Sequence, residues 1–129
     1  MNRLDEYVAK RHCLAQRYNS LLQGLPVTLP WQHPDSYSGL HLYVIRLQLD
    51  EITRSHREVF EALREQGIGV NLHYIPVHTQ PYYRRLGHLP GGFPHAEQYY
   101  REAISIPMYH GLAEEQQDQV IAAVRNALR

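Results

Sequence analysis

Three features of the amino-acid sequence predict an α/β (α+β) fold, a small sheet flanked by helices. Apolar residues recur at helical spacing in four separate stretches. One run, "LHLYVIRLQLD", alternates with the two-residue period of a half-buried strand. Between them lie two further short runs of strand character. With 129 residues the chain is the size of one ordinary domain, which removes roughly two thirds of its unfolded surface from water when it folds.

The elements follow in order. Leu4, Val8, Leu14, Ala15, Tyr18, Leu21 and Leu22 share a helical stripe, so residues 1–24 form an amphipathic helix, with Asn2 as its candidate cap and Gly24 and Pro26 closing it. Its start is abrupt, as if the helix were entered partway along. A turn-rich stretch, "LPWQHPDSYSG", leads to the alternating run, which sets Tyr43, Ile45, Leu47 and Leu49 on one face and Arg46 and Gln48 on the other. Ser55 with Glu58 three residues later is a capping box, and Val59, Phe60 and Leu63 supply the apolar stripe of a helix from about Ser55 to Gln66. Gly67 and Gly69 end it. "GVNLHY" reads as a second strand with Val70, Leu72 and Tyr74 on one face and Asn71 and His73 on the other. Pro76 and Pro81 lack the ladder donor, so this strand stops or lies on an edge, and a short helical turn follows over Tyr82 to Leu86. Pro94 suits the first position of a helix that runs into a short extended piece, Ile104 to Ile106. A last helix from about Ala113 to Leu128 turns Val120, Ile121, Val124 and Leu128 inward.

Composition excludes several functions. Thirteen basic residues balance thirteen acidic ones, so no basic field draws nucleic acid or an anionic membrane. No apolar run approaches the roughly 20 residues of a membrane span, and the first residues lack the apolar core of a signal peptide, so a cytoplasmic protein is expected. Cys13 is the single cysteine and is expected to pack on its helix face. Twelve of the basic residues are arginine and Lys10 is the sole lysine, so an amine nucleophile must be Lys10, the N-terminus or a group from another polypeptide.

The residues with chemistry concentrate in "NLHYIPVHTQPYYRRLG", which gathers two histidines and three tyrosines around two prolines. Nine histidines raise the question of a metal, with His73, His78, His88 and His95 as candidate ligands. The spacing opposes it: no i, i+4 pair, no HExxH and no CxxC is present. Phosphate-binding glycine motifs and the GxSxG elbow are also missing. Two readings remain for Tyr74, Tyr82 and Tyr83. Residue type favours rings packed in the core with locally bonded hydroxyls; position at a strand-to-loop transition favours a ligand-facing rim.

"GIGVNLHYIPVH", "QPYY" and "AISIPMY", within "REQGIGVNLHYIPVHTQPYYRRLG" and "FPHAEQYYREAISIPMYHGLAEEQQDQVIAAV", resemble the C-terminal part of the sugar-nucleotide aminotransferases of the DegT/DnrJ/EryC1/StrS family. "NRLDEYVAKRHCLAQRYNSLLQGLP" is similar to that family's helix leading into the small domain. Together the pieces are most similar to the branch that aminates UDP-4-keto-6-deoxy-N-acetylhexosamines for pseudaminic acid. The resemblance implies the C-terminal small domain of a fold-type-I PLP enzyme: residues 1–24 as linking helix, 25–129 as small domain, and the large PLP-binding domain absent. It further implies a homodimeric parent that takes a nucleotide sugar and an amino-acid donor, with PLP in the parent and none bound to this chain.

The same resemblance places His73, Tyr74, His78 and Tyr82 beside the sugar-binding cleft and gives no catalytic, cofactor or metal residue here, since Lys10 lies outside any lysine motif of the family. Ala113 departs from the Ser or Thr usual at that cap, which is expected to fray the last helix by about 1 kcal/mol. A stand-alone sugar- or protein-binding module without catalysis is the alternative.

Overall fold

The computed structural model describes residues 3–129. Its elements are α1 (Leu4–Leu21), β1 (Val27–Thr28), β2 (Tyr43–Leu47), α2 (His56–Glu65), a 3₁₀ turn (Val77–Thr79), α3 (Pro81–Arg85), α4 (Pro94–Glu102), β3 (Ala103–Ile106) and α5 (Glu114–Ala127). The small sheet flanked by helices is the predicted class.

The three strands are antiparallel in the order β1-β2-β3, with Val27 opposite Leu47, Tyr43 opposite Ile106 and Ile45 opposite Ile104. Alternation therefore sends Tyr43, Ile45, Leu47, Ile104 and Ile106 to one face, and all five are buried. Leu14, Ala15, Tyr18 and Leu22 of the first helical segment, Val59 and Leu63 of α2, and Val120, Ile121, Val124 and Leu128 at the C-terminal end complete this core. Gln117 is buried among them without an unmet bond, because its Nε2 donates to the Leu14 carbonyl at 2.8 Å and its Oε1 accepts from Arg17. On the opposite face Arg46 reaches α4, donating to Glu102 at 2.6 and 3.0 Å and lying over the Tyr99 ring.

Local chemistry sets the helix ends. Ser55 Oγ accepts from the Glu58 amide while Glu58 Oε2 accepts from the Ser55 amide, the reciprocal box read from sequence. Gly24 and Gly67, with φ of 79° and 77°, make the left-handed exits of α1 and α2 that a Cβ would strain. At α5 the predicted defect is half repaired, since Gln116 Oε1 accepts from the Ala113 amide at 3.1 Å. The proposed Asn2 cap lies outside the described residues.

Four expectations are corrected. β1 was not foreseen; two residues are too short to show a period. The first turns of α1 are outside the core, with Leu4 exposed and Val8 half-buried. Cys13 is exposed rather than packed. "GVNLHY" is not a strand: it makes one reciprocal bridge, the Asn71 amide to the Ser105 carbonyl at 3.1 Å and the Ser105 amide to the Asn71 carbonyl at 2.9 Å. In that register the next hydrogen-bonded pairs would be Gly69 with Pro107 and His73 with Ala103. Pro107 has no N–H to give, and the Ala103 carbonyl already accepts from the His56 imidazole at 3.0 Å. Leu72 donates instead to the Asn71 side chain, and Tyr74, expected inward beside Val70 and Leu72, is exposed.

Candidate functional site

With no ladder beyond Asn71, residues 73–93 form an irregular rim leading from the edge of β3 to the start of α4. Its first anchor is His73, whose Nδ1 lies 2.8 Å from Oγ of the buried Ser105. That contact leaves Tyr74 standing outward, 73% exposed, with its ring 4.6 Å from the His73 ring and nearly edge-on. Pro76 then starts the 3₁₀ turn, where Thr79 Oγ1 donates back to the Pro76 carbonyl. Pro81 opens α3 at a position where the missing amide costs nothing. α3 buries none of its residues: Tyr82 is 60% exposed and meets Tyr83 edge-on at 5.3 Å.

His78 behaves differently from the other three predicted residues. It is only 8% exposed, with its Nε2 2.7 Å from Glu97 Oε1 and its ring 4.7 Å from Phe93. The same Glu97 oxygen accepts from the Gly91 amide at 2.7 Å. The hydrogen bond from His78, and secondly that from Gly91, hold the Glu97 carboxyl below the usual carboxylate range, so it is ionised at neutral pH. Beside this cluster an apolar cleft of about 400 Å³ is lined by Val77, His78, Tyr83, His88, Phe93 and Ala96.

The four residues predicted to bind substrate thus separate. His73 and Tyr74 are in contact at the sheet edge, Tyr82 stands with Tyr83 on α3, and His78 is drawn into a cluster with Phe93 and Glu97. The core-packing alternative fails for Tyr74 and Tyr82 and describes Tyr18 and Tyr43, both buried. Phe93 and Glu97 were missed; the sole signal for Glu97 was its place in the first turn after Pro94, where an acid is common. Among the described residues no three His, Cys, Asp or Glu side chains gather for a metal ion: His95 is exposed on α4 and His88 stacks loosely on Phe93. Lys10 is on the exposed side of α1, paired with Glu6 at 3.2 Å. No helix among the described residues is long and apolar enough to cross a membrane.

The three-stranded antiparallel sheet with helices on it is a fold this chain shares with solved PLP aminotransferases. DesV of S. venezuelae, solved in complex with a ketimine intermediate, superposes on 99% of this chain with a TM-score of 0.89 and 34% identity, the match covering 34% of DesV. Residues 1–125 match the DegT/DnrJ/EryC1/StrS aminotransferase family, and the chain belongs to that family. It is 38% identical to the spore coat polysaccharide biosynthesis protein SpsC of Bacillus subtilis, over 100% of this chain and 34% of SpsC. With the dTDP-3-amino-3,4,6-trideoxy-alpha-D-glucose transaminase of Streptomyces venezuelae it shares 36% identity, over 95% of this chain and 31% of that enzyme. The chain spans about a third of the length of these relatives.

Proposed function

We propose that this chain is the small-domain part of a PLP-dependent sugar-nucleotide transaminase, with residues 1–24 as the linking helix and 25–129 as the small domain. In this reading the rim residues His73, Tyr74 and Tyr82 form the small domain's side of the sugar cleft, and His78, placed there by the resemblance, supports that rim from within the domain. The observation that carries it is the family match combined with the exposure of Tyr74 and Tyr82, aromatic side chains the fold itself leaves unused. Such rings stack on a sugar face and hydrogen-bond its hydroxyls. Arg84 and Arg85, in the last turn of the same short helix as Tyr82, add positive charge that suits a diphosphate.

PLP chemistry requires a lysine imine and a phosphate cup, and the residues described here do not fit it. The sole lysine is engaged by Glu6 on a helix surface, and the rim offers no lysine. The amine and the cofactor contacts therefore belong to another polypeptide segment, and the complete enzyme works as a homodimer that draws its amino group from an amino-acid donor. For the substrate, the motifs "GIGVNLHYIPVH" and "AISIPMY" support a UDP-4-keto-6-deoxy-N-acetylhexosamine aminated at C4. The 36% identical relative, named for a dTDP-linked 3-amino sugar, supports a second reading in which nucleotide and position differ.

The test is kinetic, in a complete enzyme that carries this chain as its small domain, assayed with UDP- and dTDP-linked keto sugars. His73→Ala, Tyr74→Phe and Tyr82→Phe are each expected to lower kcat/KM by roughly 3- to 10-fold, the value of one neutral hydrogen bond; the melting temperature is unchanged in the two tyrosine variants and falls in His73→Ala, where the buried Ser105 hydroxyl loses its partner. Unchanged kinetics in all three variants would remove the rim from the site.

A further inference from the structure

Past the His73–Ser105 anchor, residues 77–92 have among the described residues one hydrogen-bonded tether to the body of the domain, and it is a single carboxylate oxygen. Between the 3₁₀ turn and α4 the backbone bonds are short-range: Arg84 to Gln80, Gly87 to Arg84, His88 to Tyr83 and Gly92 to Leu89. These shape turns but fix nothing to the sheet. α3 contributes no buried residue that would anchor it by packing. Glu97 Oε1, by contrast, receives His78 Nε2 from before α3 and the Gly91 amide from after it, both at 2.7 Å. Gly91 turns its amide toward the carboxylate at φ of 87°, a conformation that glycine adopts without strain. Phe93 packs over His78 from the same side. α4 in turn is held to β2 through Glu102 and Arg46.

We infer that Glu97 is a positioning residue for the substrate rim, its carboxylate closing residues 78–91 into one loop so that α3 presents Tyr82 and Tyr83 outward in a fixed orientation. The inference rests on the reading of the rim as the sugar side, and it adds a group that itself faces no substrate. An ionised carboxylate only accepts, so His78 Nε2 carries a proton, and His78 becomes a strut whose donor is committed to Glu97. One change unties both ends of the loop. The arrangement is a preorganised scaffold: it limits the ordering that ligand binding would otherwise require.

The test uses the whole 129-residue chain, labelled with ¹⁵N and without any nucleotide sugar, so its outcome is separate from that of the substrate reading. Long-range proton–nitrogen spectra report which His78 nitrogen is protonated, and native-state amide exchange reports the loop. In the unmodified chain His78 is expected to show the Nε2–H signature. In Glu97→Ala that signature gives way to a tautomer mixture, and exchange at Gly91 and through residues 80–92 accelerates about ten-fold or more, while β2 and β3 keep their rates. Glu97→Gln retains a carbonyl acceptor and is expected to restore most of the Gly91 protection; it also serves if the alanine variant folds poorly. The inference is overturned by an Nδ1–H His78 in the unmodified chain. It is equally overturned by unchanged loop exchange in Glu97→Ala, or by acceleration that is equal in the loop and in the strands.

Discussion

Removing one phenolic oxygen at a time should divide the ten tyrosines into two groups. Tyr18 is 0% exposed and its hydroxyl donates to the Pro107 carbonyl at 2.8 Å. In Tyr18→Phe the ring keeps its packing, but the Pro107 carbonyl loses the donor it has inside the domain, which costs about 1–2 kcal/mol. For a domain of this length that is a fall in melting temperature of roughly 4–8 °C. Tyr74 and Tyr82 are mostly exposed and their hydroxyls have no protein partner among the described residues. Their Phe variants should therefore stay within about 0.5 kcal/mol of the parent. Urea unfolding followed by far-ultraviolet circular dichroism measures all three on one scale. Trp31, 78% exposed, is a poor fluorescence reporter of the core. A cost above about 1 kcal/mol for Tyr74→Phe or Tyr82→Phe would mean that these hydroxyls are satisfied inside the domain, and the rim assignment would fail with the reasoning behind it.

Burial raises the phenols of Tyr18 and Tyr43 well above their ordinary range, so the unfolded chain ionises first. Their contribution is whole below about pH 10 and is lost as pH climbs toward the folded values, so a Tyr18→Phe, Tyr43→Phe variant should show a shallower alkaline loss of stability in pH-dependent melting; an equal loss refutes the assignment. Mixing the chain with PLP should give no stoichiometric visible absorbance band, whereas a band that Lys10→Ala abolishes would overturn the assignment of the reactive amine to another segment. Ala113→Ser should complete the box half-made by Gln116 and raise stability by about 0.5–1 kcal/mol in urea titrations; no gain would show that the Gln116 contact already suffices.

Where a structural decision is taken within a few residues, the chain declares it. Ser55 with Glu58, Pro94 at the start of α4, and the alternation from Tyr43 to Leu47 were legible because caps and periods act between neighbours. The family resemblance was legible for the same reason, carried by contiguous stretches such as "GIGVNLHYIPVH". Decisions taken between distant segments were not. "GVNLHY" alternates as a strand should, yet its ladder is cut short by the missing amide of Pro107 and by His56 at the Ala103 carbonyl, neither of which lies near it in sequence. His78 looks like Tyr74 and Tyr82 in the sequence, a polar tip among prolines, and only Glu97, nineteen residues on, makes it a buried strut. Tyr18 and Tyr82 carry the same side chain to opposite ends of the exposure range. The sequence by itself determined the helices, the central strand and the family. The tertiary structure decided which polar tips are spent inside the domain and which face outward, because a hydrogen bond between remote residues depends on the packing that brings donor and acceptor within 3 Å, a condition no local pattern encodes.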